Sequence, residues 1–149
     1  TNIYGPNDNF NIETGHVLPS LIHKCYLAQK NNTDFVVWGT GKPLREFIFS
    51  KDIARLTEWV LENYTDSEPI IFSTSDAVPI KDVVDLIVEY MNFKGNVVWD
   101  RDKPDGQYRK PSSIEKLNSL IPDYEFVSIE DGLKETVEWF HNNYDIARK

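Results

Sequence analysis

The chain has 149 residues, 40% of them hydrophobic, 13% aromatic and 27% charged, with a formal net charge of -8. That is enough chain for one ordinary core, and the acidic balance argues against a general nucleic-acid or anionic-membrane surface. A single cysteine, Cys25, excludes an intramolecular disulfide framework and a multi-cysteine metal site. It points to a reducing, cytoplasmic setting. No apolar run approaches the roughly 20 residues of a bilayer-spanning helix.

The chain opens on Thr1-Asn2-Ile3-Tyr4-Gly5-Pro6, which reads as a strand running into a turn. The first residue is not Met and the strand has no lead-in, so a piece of a longer protein is expected. A polar loop follows to Gly15, then His16. Apolar residues at Val17, Leu18, Leu21, Ile22, Cys25 and Tyr26 predict a helix over 17–29, capped by Thr14 or Gly15. Pro19 is tolerated in its first turn. Strands are predicted at 35–38 and 45–49, separated by Gly39-Thr40-Gly41. Ser50 then reads as the cap of a helix whose face is Ile53, Leu56, Val60 and Leu61. A further strand is predicted over 70–73, a helix over 79–92 and a strand over 96–99. Residues 100–111 form a charged loop, followed by a short helix over 112–120. A last helix from about Ser128 to Arg148 has carboxylates in its first turn, which suits the helix dipole. Strands alternating with helices give an α/β fold.

Candidate chemistry gathers in a few places. His16 at a helix start can serve as an acid or hydrogen-bond donor near neutral pH, or simply pack locally. His23 and His141 read as structural, and nothing has metal-ligand spacing. Lys24 follows His16 by about two helical turns, and Arg45 begins a strand. Together they fit a diphosphate clamp, or are surface charges. Trp38, at a strand end, can stack on a base or sugar, or belong to the core. Trp59, Trp99 and Trp139 fit core faces. Asp105 sits in a Pro-Asp-Gly turn; it can accept sugar hydroxyls or merely form the turn. Arg109 and Lys110 offer a second phosphate contact. No Gly-rich phosphate loop and no Tyr-x-x-x-Lys pair is present.

The set NIYGP-NDNF, GHVLPSLIHK, VVWGTGKPLREFI, KPDGQYRK and ETVEWFHNNY resembles the GDP-L-fucose synthase branch of the extended short-chain dehydrogenases/reductases. The similarity runs along the whole chain. NDNF with GHVLP, and VWGTG-x-P-x-RE, are the parts specific to that branch. The resemblance implies the C-terminal substrate-binding portion of an extended Rossmann-type NDP-sugar reductase, over residues 1–149. Its N-terminal cofactor domain would be absent. Residues 45–49, 70–73 and the helix between would complete that domain's sheet.

It implies a parent enzyme that epimerises GDP-4-keto-6-deoxy-mannose at C3 and C5 and reduces C4 with NADPH. His16 would be an epimerisation acid. Thr1, Asn2, Ile3 and His16 would touch the NADP(H), which the missing domain mainly binds. Lys24, Trp38, Arg45 and Asp105 would hold the GDP-sugar. Cys25 matches no catalytic position and falls on a core face. A homodimeric, cytoplasmic parent and an inactive isolated piece are implied. The alternatives are another NDP-sugar epimerase or dehydratase, and a non-catalytic sugar-nucleotide binding or dimerisation module.

Overall fold

The computed structural model describes residues 1–149. The elements run β1 (Asn2–Tyr4), α1 (Val17–Asn31), β2 (Phe35–Trp38), β3 (Leu44–Phe49), α2 (Ser50–Asn63), β4 (Ala77–Pro79), α3 (Ile80–Tyr90), β5 (Val97–Asp100), α4 (Glu115–Leu120) and α5 (Ile129–Asn142). The mixed α/β class is as expected. The strands form two sheets, one ordered β1-β3-β4 and the other β2-β5. β1 is parallel to β3 and β4 antiparallel to it, with Asn2 opposite Phe47 and Arg45 opposite Val78. β2 and β5 are parallel, with Phe35 opposite Val97.

β3 explains why the larger sheet is covered on both sides. Phe47, Ile48 and Phe49 are all buried, though successive side chains in a strand face opposite ways. Phe47 and Phe49 join the main core, with Leu18, Ile22 and Cys25 of α1, Val84 and Ile87 of α3, and Leu133, Val137 and Phe140 of α5. Ile48 faces a second cluster with Leu56 of α2 and Leu117 of α4. Cys25 is fully buried, and burial pushes its thiol up to about 12, so it is unreactive core. Trp99 and Trp139 pack against the core, and Trp59 is half-buried.

Several expectations are corrected. His16, not Thr14 or Gly15, occupies the N-cap position of α1, and its side chain makes no capping bond. Ser50 is the first residue of α2 rather than its cap. Its hydroxyl lies against Gly5, where any Cβ would come within 2.1 Å of it. Leu61 is 81% exposed, because it is five positions beyond Leu56 and so rotates off the buried stripe.

Residues 70–73 form no strand. Hydroxyls take the place of a backbone ladder there. Thr1 Oγ1 donates to the Phe72 carbonyl, Ser73 Oγ to Glu46 Oε2 and Thr74 Oγ1 to the Phe47 carbonyl. Ser75, at φ 56°, then turns the chain into β4, a strand with no counterpart among the sequence expectations. The short helix starts at Glu115 rather than at 112 or 113, after an Ile114 at φ -111°, outside helical geometry.

α5 starts as expected, with Ser128 Oγ accepting from the Asp131 N–H at 3.1 Å. It ends at Asn142, six residues before Arg148. Asn143 Nδ2 donates to the Trp139 carbonyl at 2.8 Å, a local side-chain bond that competes with helix continuation. The remaining turns bring Arg148 back to the 7–15 loop.

Candidate functional site

The loop carrying His16 is held by its own side chains. Asn7 adopts φ 67°. Asp8 Oδ1 accepts from the Asn9 N–H at 2.6 Å, and Asn11 Oδ1 accepts from the Glu13 and Thr14 N–H groups, both at 2.9 Å. Such short Asn and Asp bonds stabilise turns. Phe10 plugs the loop into the core. It is fully buried, and its ring stacks on Phe140 at 4.3 Å and on Trp139 at 5.9 Å. Its N–H donates to the Arg148 carbonyl at 2.8 Å, and its own carbonyl faces His23 Nδ1 at 2.8 Å.

A carbonyl can only accept, so His23 carries its proton on Nδ1. His23 is buried and structural, and burial holds its pKa below the ordinary 6.5. The unfolded chain therefore binds that proton more readily than the folded one. Stability from this group is complete above pH 6.5 and is lost as pH falls through 6.5 toward the lower folded value. Urea midpoints should fall between pH 7.5 and 5.5, and fall less in His23→Gln; an equal fall in both removes His23 from the account.

A first cavity of about 380 Å³ opens beside β1. It is lined by Thr1, Asn2, Ile3, His16, Asp8 and Ser50, among others. Thr1 Oγ1 is committed to the Phe72 carbonyl, and Asn2 Nδ2 to the Glu46 carbonyl at 2.8 Å. Ile3, 46% exposed, therefore supplies an apolar surface beside polar backbone.

A second cavity of about 250 Å³ is lined by Trp38, Arg45, Asp105 and Val17. Consecutive residues at the start of α1 line the two cavities, His16 the first and Val17 the second. Trp38 is 58% exposed, with Lys24 Nζ 4.3 Å and Lys103 Nζ 5.5 Å from its ring centroid. Both are cation–π contacts. Burial lowers the Lys24 pKa from its ordinary range. Arg45 Nη1 donates to the Leu44 and Gln107 carbonyls, both at 2.7 Å. That leaves Nη2 and Nε for a ligand.

Asp105 accepts from the Thr40 N–H at 2.6 Å and from Thr40 Oγ1 at 2.7 Å. The Thr40 N–H first, then its hydroxyl, holds this carboxyl below the usual range. Each oxygen keeps a further lone pair for a ligand hydroxyl. Gly39 is required here: it has φ 82°, and a Cβ would lie 2.2 Å from Asp105 Oδ1. The Asp100 to Pro111 loop is pinned along its length, by the Gly39 N–H on the Asp100 carbonyl and the Leu44 N–H on that of Tyr108.

The structure thus gathers Thr1, Asn2, Ile3 and His16 in one cavity, and Trp38, Arg45 and Asp105 in the next, with Lys24 over the indole. Arg109 and Lys110 stay exposed, outside both. Sequence reasoning missed Asp8, Thr40, Ser50 and Lys103. Only Lys103 carried a usable signal, as a further cation beside the Pro-Asp-Gly turn.

Residues 1–73 match the model of the NAD dependent epimerase/dehydratase family. Over its whole length the chain is 52% identical to GDP-L-fucose synthase of Dictyostelium discoideum, covering 47% of that protein. It is 36% identical to GDP-L-fucose synthase of Escherichia coli strain K12, over 99% of this chain and 49% of that one. The crystal structure of a GDP-L-fucose synthetase from Naegleria fowleri bound to NADP superposes with a TM-score of 0.98 at 52% identity. It covers all of this chain and 47% of that one. The chain spans about half the length of the curated relatives it matches. From its first residue to its last, in sequence and in fold, the chain is similar to the GDP-L-fucose synthases.

Proposed function

We propose that these residues form the C-terminal, GDP-sugar-binding region of an NADPH-dependent enzyme that makes GDP-L-fucose. Its substrate would be GDP-4-keto-6-deoxy-mannose, epimerised at C3 and C5 and then reduced at C4. The observation that carries this reading is the pair of adjoining cavities, divided at His16 and Val17. In the second, Lys24 and the free donors of Arg45 meet a diphosphate, Trp38 offers its ring to the ligand, and Asp105 accepts sugar hydroxyls. In the first, His16 reaches the sugar and the cofactor. The apolar face of Ile3 and the polar backbone of Thr1 and Asn2 fit the amphipathic nicotinamide end of NADP(H). Bound NADPH supplies the hydride for C4; the chain's own residues place the ketone and hold a proton at His16.

The remaining cofactor contacts lie, on this reading, outside residues 1–149, in a Rossmann domain. The complete enzyme would be a cytoplasmic homodimer. The 149-residue chain mixed with NADPH and the keto-sugar should then show no loss of absorbance at 340 nm beyond buffer; steady turnover would refute the division.

Nucleotide preference tests the reading directly. In calorimetry the chain should bind GDP-sugar more tightly than UDP-sugar; equal or reversed affinities would overturn it. Arg45→Ala should weaken GDP-sugar binding by about 2 kcal/mol, as for loss of a charged hydrogen bond. Unchanged affinity would remove Arg45 from the site.

A further inference from the structure

Asp8 is the one residue of the chain with a buried side-chain oxygen or nitrogen that lacks a hydrogen-bond partner, and the atom is Oδ2. Buried polar atoms are nearly always paired, so a lone one asks for an explanation. The carboxylate is not loose. Oδ1 is fixed by the Asn9 N–H at 2.6 Å, and the next residue, Phe10, is the fully buried plug of the loop. Asp8 lines the same cavity as His16 and Ser50. His16 stands at the N-cap position of α1, yet its ring makes no capping bond. An unpaired carboxylate oxygen and an uncommitted imidazole therefore share one cavity.

The charges around Asp8 fit a partnership. Burial is the largest influence and raises its carboxyl pKa; the Asn9 N–H, then His16, then Arg148, act in the opposite direction. His16 comes from the start of α1 and Arg148 from the turns after α5, so the acid faces a cation from each element.

We propose that Asp8 and His16 form a carboxylate–imidazole pair across the first cavity, with Asp8 a positioning residue. The two are not bonded in the orientation the structure shows; the exposed His16 ring turns so that one ring N–H donates to the unpaired Oδ2. This fixes the tautomer and turns the opposite nitrogen toward the ligand. The pair deepens the proposed acid role of His16 and rests on that reading for its use in catalysis. The pairing itself needs no substrate.

Magnetic resonance on the 149-residue chain separates the two. The Asp8 carboxyl carbon should titrate at higher pH in His16→Gln than in the unmodified chain, as expected when a nearby opposite charge is removed. His16 is exposed, so this variant keeps the fold. Ring nitrogen shifts of His16 should show one dominant tautomer in the unmodified chain and a different tautomer ratio in Asp8→Asn. That variant keeps the Asn9 bond, and a merely structural Asp8 would leave the tautomers unchanged. An unmoved Asp8 titration, or the same His16 tautomer in both proteins, overturns the pair. Neither readout depends on GDP-sugar binding, so failure of the functional reading leaves them interpretable.

Discussion

Phe140→Ala should destabilise the chain by about 4 kcal/mol, the range for emptying a fully buried aromatic site, measured as the loss in urea unfolding free energy. Phe140 is fully buried. It stacks on Phe10 at 4.3 Å and lies edge-on to His23 at 5.5 Å and Tyr26 at 5.6 Å. Collapse cannot refill the space easily, because its neighbours sit on α1, α5 and the 7–15 loop, each already tied elsewhere. Since domains are stable by only about 5–15 kcal/mol, the loss would be a large part of the total. The effect reaches the site, because Phe10 holds the loop between Asp8 and His16. Exchange of the Phe10 amide with solvent should therefore accelerate more than that of amides in α3. A loss below about 1.5 kcal/mol, typical of volume-conserving swaps, would show that the Phe10 plug does not depend on this ring.

Asp52→Ala should cost about 3 kcal/mol, from two hydrogen-bonding groups left without their acceptor. Asp52 is completely buried. Its Oδ2 accepts from the Val127 N–H at 3.0 Å and its Oδ1 from the Tyr124 hydroxyl at 2.8 Å, while Arg55 Nη1 lies 3.8 Å from Oδ1. One carboxylate in the first turn of α2 thereby ties down the segment leading into α5. Burial first, then the bond to Asp52 and its charge, push the Tyr124 hydroxyl up to about 12. In the variant that hydroxyl should titrate at lower pH. Asp52→Asn keeps one acceptor but sets an NH₂ against another donor, so it should fall between the two. Stability equal to the unmodified chain in Asp52→Ala would mean that water takes over both bonds.

What the sequence disclosed follows from how local each signal is. α3 was legible because Ile80, Val83, Val84 and Ile87 repeat at helical spacing and are all buried. The start of α5 was legible because Ser128 caps its own helix. β4 was not: Ala77–Pro79 has no alternation of its own and becomes a strand only against β3. Residues 70–73 failed in the other direction. Their apolar run looks extended, but it is held by hydroxyl bonds to distant residues, Thr1 on the Phe72 carbonyl and Ser73 on Glu46, rather than by a backbone ladder. At the site, residue types alone gave a cation, an aromatic and a turn carboxylate. Their roles as a set came from resemblance, and their grouping into adjoining cavities only from the fold. Asp8 was out of reach, because its significance is a missing partner, which no single stretch of sequence encodes.

The pairing of the strands bears on how the chain folds. β1 meets β3 by joining Asn2 to Phe47, and β2 meets β5 by joining Phe35 to Val97. These spans overlap: β2 lies inside the first and β3 inside the second. Each sheet therefore closes around a segment that supplies a strand to the other. Contacts this distant in sequence are slow to form. Folding should therefore be slow for the chain's size and resolve as one cooperative step, with both cavities arriving together.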